Sequence, residues 1–271
     1  MLDPFIESIL IFSGINVVLA LSLYLPVSAG LLSLGQGGFM AIGAYVSGYM
    51  TSVMEWPFAV ALVCGGLVAG AVGLLVGIPS LRIKGVYLII MTMGFGEIVR
   101  VFFLNFEPTG AASGMGGIPV HTTLPIVVLV VILSLFLCFQ IRGSRIGRAL
   151  EAVREDELAA EVIGINLMRI KLSIFGLGAF LAGIGGGLFS HYATFIDPGQ
   201  FGFSRSAEIF MMVVLGGMGN FIGAAVGALV VTILPEVLRI GGMQEWRMTF
   251  FGALLVIIMI VRPWGLIGVR R

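Results

Sequence analysis

LPIVVLVVILSLFLCF, Leu124 to Phe139, carries one hydroxyl and no charge. Inside a bilayer every backbone N–H and C=O must find its partner within the protein, and a helix does this without help from neighbours. A membrane strand would instead alternate apolar and polar residues over about ten positions. No such alternation is visible, so the run is a helix, extending to Ile141 before Arg142 interrupts it.

The same rule, roughly 20 apolar residues with ~17–25 tolerated, applies on both sides of this run. It gives further spans at Phe5–Leu25, Leu31–Val53, Phe58–Ile78 and Val86–Phe106, then Leu172–Ala193, Ser206–Gly217, Phe221–Leu238 and Trp246–Val261. The expectation is one transmembrane domain over residues 1–271, an all-α polytopic bundle of about nine spans, with eight to ten as the range. Ser206–Gly217 is too short to cross comfortably and ends in LGGMGN, which suits a half-helix or part of a broken one.

Composition agrees with the bilayer as solvent. The chain is 59% hydrophobic and only 11% charged, with a mean hydropathy of +1.12. Its 40 glycines among 271 residues are about twice the ordinary ~7% share, and small residues let membrane helices approach closely. A net charge of +1, with few basic residues mixed among acids, gives no sign of a nucleic-acid partner, and none is expected. Cys64 and Cys138 stand in apolar runs and read as small hydrophobes. MLDPFIESILIFSG has acids where a cleavable signal would carry Lys or Arg, so the first apolar run is expected to stay as a span.

Charge is concentrated instead in Arg142–Lys171, which holds six of the 15 basic and five of the 14 acidic residues. Lys and Arg in short loops favour the cytoplasm, so this island is expected inside. Counting outward puts the N-terminus and the loops Glu107–Thr123 and Thr194–Arg205 outside. The link with Arg82 and Lys84 and the tail with Arg262, Arg270 and Arg271 fall inside. Arg205 does not fit, nor does one of Arg239 and Arg247.

Within the island, Ile146, Ala149, Leu150 and Val153 recur at helical spacing, Asp156 and Glu157 interrupt, and Ala160, Ile163, Gly164 and Leu167 resume it. Two short helices with a bend are expected, with Ala160 and Gly164 forming a bare strip one turn apart on the second. That strip suits docking of another protein; a solvated loop marking the inside is the other reading.

Polar residues inside the spans are the remaining candidates. Glu97 and Arg100 can meet on one face of the fourth span. They would line or brace the external gate, or form a structural ion pair. Gln36 among Gly35, Gly37 and Gly38, and Thr92 near Gly94 and Gly96, suit a polar translocation path or close helix packing equally well. LGQGGFMAIGAYVSG and LGGMGNFIGAAVGAL, starting at Leu34 and Leu215, share glycine spacing, either as an internal repeat or by chance.

LAAEVIG, Leu158 to Gly164, resembles the cytoplasmic EAA loop of ABC importer permeases, with Ala159, Ala160 and Gly164 in place. It departs from that pattern in having Leu158 where the family has Glu, with Glu157 one position earlier, and SIFGLG where Ile-x-Leu-Pro often follows. GLLSLGQGGFMAIGAY, KGVYLIIMTMGFGEIVR, GRALEAVREDELAAEVIGIN, VVLGGMGNFIGAAVGA and RPWGLIG together resemble the permeases of high-affinity branched-chain amino-acid importers. TMGFGEIVR followed by TGAASGMGGIP is similar to the LivM-type subunit. The match runs from Gly30 to Gly268 and owes little to the first thirty residues.

The resemblance implies that Arg148, Glu151, Arg154, Glu157, Ala159, Ala160 and Gly164 belong to a coupling helix seated on an ATP-hydrolysing subunit. It also implies two such subunits carrying ATP and Mg, a second and related permease subunit, an external binding protein that delivers substrate, and a place in the cytoplasmic membrane of a bacterium or archaeon. The chain itself has no G-x-x-x-x-G-K-[ST] phosphate loop, catalytic triad or metal cluster. His121 and His191 are isolated and read as satisfied polar residues. The chain is therefore expected to be no enzyme and to bind no cofactor or metal. A proton-coupled transporter working through Glu97 with Glu208 or Glu236 is the alternative from another class. Branched-chain or other amino acids, urea and short amides all remain open as substrates.

Overall fold

The computed structural model describes residues 3–83, 85–240, 252 and 265–267. The ninth expected span, Trp246–Val261, Lys84 and the arginines of the C-terminal tail lie outside the described residues. Among the described residues the chain is all-helical: α1 (Pro4–Ser28), α2 (Gln36–Ser52), α3 (Phe58–Ser80), α4 (Val86–Asn105), α5 (Leu124–Gly143), α6 (Arg145–Glu155), α7 (Glu157–Val162), α8 (Leu167–Ala193), α9 (Phe203–Gly216) and α10 (Phe221–Ile240). Five of them, α1, α3, α4, α5 and α8, are long and apolar enough to cross a membrane. Helix α2, at 17 residues, spans about 26 Å at 1.5 Å per residue, and α9, at 14, about 21 Å, both short of a ~30 Å hydrocarbon core.

Helix α8 is the axis of the bundle, packed along α1, α2 and α3. Its stretch Gly183–Gly187, with Ile184 between, makes this possible. A Cβ added to Gly183 would sit 2.6 Å from the Ala69 Cβ of α3, one on Gly185 2.8 Å from Leu19 of α1, and one on Gly186 inside the Met40 carbonyl of α2. No hydrophobic force drives helices together in lipid, so bare backbone contact on three sides supplies the packing. By contrast α5 is exposed at Leu129, Ile132, Phe136 and Phe139, a lipid-facing stripe.

Two departures from the sequence reading have different causes, one tertiary and one local. Helix α2 begins five residues late because Leu31–Gly35 is non-helical. The chain turns at Gly30, in left-handed backbone at φ 76°, the Leu31 N–H returns to the Pro26 carbonyl, and those of Leu34 and Gly35 bond to the Thr92 and Ser33 side chains. Helix α8 begins five residues early because the Asn166 side chain accepts from the Arg169 N–H and caps it.

The α4–α5 and α8–α9 loops meet. Met115 and Ile196 exchange two backbone hydrogen bonds of 2.8 and 3.0 Å, and the Ile118 N–H donates to the Thr194 carbonyl at 3.3 Å. Beneath them His191 is fully buried. Its Nδ1 donates to the Gly187 carbonyl at 2.7 Å, and Nε2 lies 2.8 Å from the Thr51 hydroxyl.

Candidate functional site

Two regions carry the candidate residues. The first is the charged island. Its two helices form as the sequence suggests, each started by a side-chain cap. The Ser144 hydroxyl accepts from the N–H groups of Ile146 and Gly147, and the Asp156 carboxylate accepts from Leu158 and Ala159 at 2.8 and 3.1 Å. Asp156 itself is extended, at φ −153° and ψ 112°, which makes the bend. Helix α6 turns Gly147, Leu150 and Val153 inward and leaves Arg148, Glu151 and Arg154 exposed.

The expected bare strip is not on the outer face of α7. Ala160 is only 2% exposed and faces the bundle, while Gly164 lies beyond the helix in left-handed backbone at φ 87°. There the Ile165 N–H reaches back to the Ala160 carbonyl and closes the helix end, the geometry that makes a glycine suitable at that position. The outer face instead shows Leu158, Val162 and Ile163, exposed at 74%, 87% and 73%, beside exposed Ala159. The most polar segment of the chain thus presents three neighbouring exposed aliphatic side chains.

Glu157 points the other way, its carboxylate accepting from Lys171 Nζ at 2.5 Å. Lys171 belongs to the first turns of α8 and is 8% exposed. The pair therefore fastens α7 to the axis of the bundle. Sequence spacing missed this contact, because the two residues are fourteen apart and meet only when α7 folds back on α8.

The second region surrounds the N-terminus of α9. Gln36 and Thr92 are 1% and 0% exposed. The Thr92 hydroxyl accepts from the Leu34 N–H at 3.0 Å and donates to the Leu88 carbonyl at 3.0 Å; the Gln36 amide oxygen lies 3.4 Å from the Ser22 hydroxyl. Non-helical backbone at membrane depth is tolerated only when it is buried in protein or lines a cavity, and here side chains satisfy it. Replacing Thr92 by Val leaves the Leu34 N–H without its acceptor. The expected cost is about 1–3 kcal/mol, read as a lower midpoint of thermal unfolding of the purified protein in detergent.

Glu97 and Arg100 do meet, at 2.6 Å, each about one-third exposed. The second Glu97 oxygen accepts the Phe203 N–H at 3.2 Å, so the pair holds the first turn of α9. The same turn reaches α2, where the Gly37 N–H donates to the Ser206 hydroxyl at 3.0 Å. Glu97 and Arg100 thus reach the start of α9 directly, while Gln36 faces Ser22 of α1 and Thr92 holds the Leu31–Gly35 link, and it is Gly37, the neighbour of Gln36, that bonds to α9.

Arg205, which disagreed with the loop-charge count, is no loop residue. It sits inside α9 with its side chain 15% exposed, bonded to Glu208 at 2.5 Å and to Asn16 at 2.6 Å. The available signal was Asn16, the one amide in the first span, but nothing local names its partner. Among the described residues no group of three His, Cys, Asp or Glu side chains is placed to hold a metal ion.

The sequence model for "Branched-chain amino acid transport system / permease component" matches residues 5–259. The chain is 37% identical to the high-affinity branched-chain amino acid transport system permease protein LivM of Escherichia coli, over 95% of this chain and 67% of that protein. To the LivH permease protein of the same organism it is 34% identical, over 54% of this chain and 48% of that one. A more distant relative is the fructose import permease protein FrcC of Rhizobium meliloti, at 24% identity over 86% of this chain and 70% of that protein. No solved structure matches.

Proposed function

The chain belongs to the family of permease components of branched-chain amino acid transport systems, and from that premise we propose that it carries branched-chain amino acids into the cytoplasm as the translocating subunit of an ATP-driven importer. The observation that carries the proposal is the exposed apolar face of α7. Leu158, Val162 and Ile163 would be covered by an ATP-binding subunit, with Arg148, Glu151 and Arg154 of α6 around them. ATP and Mg would be held by two such subunits. A second, LivH-like permease subunit and an external binding protein would complete the assembly.

The orientation that follows places the island inside and the N-terminus outside. The bonding of the α4–α5 loop to the α8–α9 loop supports a common, external side for the two. Nine crossings of a single domain remain the reading. The five long helices would be joined by α2 with its buried lead-in, by α9 and α10, and by the Trp246–Val261 run.

Motion would pass from the ATPases into α6 and α7, and through Glu157 and Lys171 into α8, which touches α1, α2 and α3 and so can tilt several helices at once. The Glu97–Arg100 brace on α9 would change as the external side opens. Lys171→Gln is expected to lower transport per ATP hydrolysed by roughly 3- to 10-fold, the worth of a charge-assisted bond discounted for a carboxylate about one-third exposed. Reconstituted vesicles with both rates measured check this.

The energy source is tested by uptake of radiolabelled leucine. ATP depletion at a maintained proton gradient is expected to stop uptake, and collapse of the gradient with ATP maintained to leave it intact. The opposite pattern would assign transport to proton coupling through Glu97, Glu208 or Glu236.

A further inference from the structure

Helices α1, α9 and α10 line a half-open cavity of about 360 Å³ whose lining is split in character. One wall carries Asn16, Arg205, Glu208, Thr232 and Glu236, and the other is formed by Phe5, Ile9, Phe12 and Val231. A relay of bonds runs along the polar wall. Arg205 donates to the Glu208 carboxylate and the Asn16 carbonyl oxygen, and the Asn16 amide donates to the Thr232 hydroxyl at 2.8 Å. The Arg205 side chain is 15% exposed and that of Glu208 40%, so the carboxylate is the more open of the two.

Joining three helices does not require this much charge. The Asn16–Thr232 bond already ties α1 to α10, and ionisable residues within membrane helices that face a cavity are rare and mark a functional candidate, even near a helix end where they cost less than at the bilayer centre. Both signs of charge face one cavity, beside an aliphatic and aromatic wall, in a volume at the lower end of the ~300–1,000 Å³ usual for ligand pockets. We propose that this cavity binds a zwitterionic aliphatic amino acid, Arg205 taking its carboxylate, Glu208 and Glu236 its ammonium, and the Phe12 side its hydrocarbon chain. The planar guanidinium has five N–H donors, of which two are engaged here, and a carboxylate has about four acceptor positions. A zwitterion entering between Arg205 and Glu208 exchanges their one ion pair for two and adds no net charge to the interior.

The choice of an amino acid as ligand rests on the permease reading above. The first half of α1, the first turns of α9 and the last turns of α10 put the cavity at one end of the bundle. In the proposed orientation that end is external, where a delivered substrate would first be held.

The test uses the permease complex purified with its partner subunits in lipid nanodiscs, without the external binding protein. Radiolabelled leucine is competed with leucinol, which lacks the carboxylate, and with 4-methylpentanoate, which lacks the ammonium. Saturable leucine binding at least ten-fold tighter than either competitor, and weakened at least ten-fold by Arg205→Gln, is the expected result. Glu208→Gln serves if the arginine variant does not assemble, and the wild-type competition needs no variant. The absence of saturable leucine binding, equal binding of the three compounds, or unchanged binding in both variants would overturn the site. ATP hydrolysis by the same preparation separates the two readings. A complex that hydrolyses ATP but binds the three compounds alike removes this inference alone, whereas a permease that purifies with no ATPase removes the importer reading.

Discussion

Replacing Val162 and Ile163 together by Asp is expected to reduce ATP-driven uptake at least thirty-fold and to strip the ATP-binding subunits from the purified permease, which itself stays folded. Both side chains are almost fully exposed, at 87% and 73%, so the permease loses no packing. Their cost falls on the complex. Residues at the centre of an interface typically cost 2 kcal/mol or more when removed, and a carboxylate forced into an apolar pocket adds an unpaired buried charge. Two kcal/mol is about thirty-fold in affinity. Size-exclusion chromatography of the variant alone checks the fold, and co-purification checks the partners. An Arg148→Ala control on the charged rim is expected to change affinity little, because exposed ion pairs are worth about 0–1 kcal/mol.

Gly186→Val is expected to have a larger effect of another kind, leaving almost no folded permease in the membrane. A Cβ at that position would fall inside the Met40 carbonyl and 3.0 Å from the Ala44 backbone nitrogen. The obstacle is backbone within a helix, so no rotamer change can relieve it. Gly43 on the facing helix has the same relation to the Gly183 carbonyl, so α2 and α8 meet backbone to backbone at two levels. Separating them enough for two γ-methyls forfeits contact along the axis of the bundle, more than the roughly 1–3 kcal/mol usual for overpacking. Gly94, with nothing within 4 Å of an added Cβ, is the matched control, and Gly94→Ala is expected to be tolerated. Quantifying monodisperse protein after mild detergent extraction compares the two.

The contrast between these glycines shows where sequence reading reached its limit. Helix starts at Phe58, Val86, Leu124 and Phe221 were legible because they depend on where an apolar run begins and on local punctuation. The bend in the charged island was legible because Asp156 is a capping residue between two periodic stretches. The late start of α2 was not, since Leu31–Gly35 is apolar enough to continue a helix and its non-helical path is held by bonds that include one to Thr92 on another helix. Nor was the orientation of Ala160, whose burial is decided by how α7 lies on its neighbours. The positive-inside count faltered at Arg205 because the rule concerns loop charges, and this one is drawn into the bundle by Asn16, 189 positions away.

For the candidate site the division is similar. The island announced itself by composition, and the pairing of Glu97 with Arg100 by their spacing of three. That Glu97 and the residue after Gln36 would both bond to the first turns of α9 depended on the Phe203 N–H and Ser206, ordinary in sequence and informative only once placed. In a chain whose solvent is lipid, apolar periodicity says little about which face looks inward. Polar residues therefore carry most of the legible tertiary information.

The claim that α7 is the seat of an ATP-binding subunit is tested most directly by photo-crosslinking in the native membrane. A photoreactive side chain is placed at Val162 and, as a lipid-facing control, at Phe136 of α5, which is 57% exposed. The account predicts a covalent adduct with an ATP-binding protein from position 162, identified by mass spectrometry, and none from position 136. No such adduct from position 162, or equal capture from both positions, would contradict it.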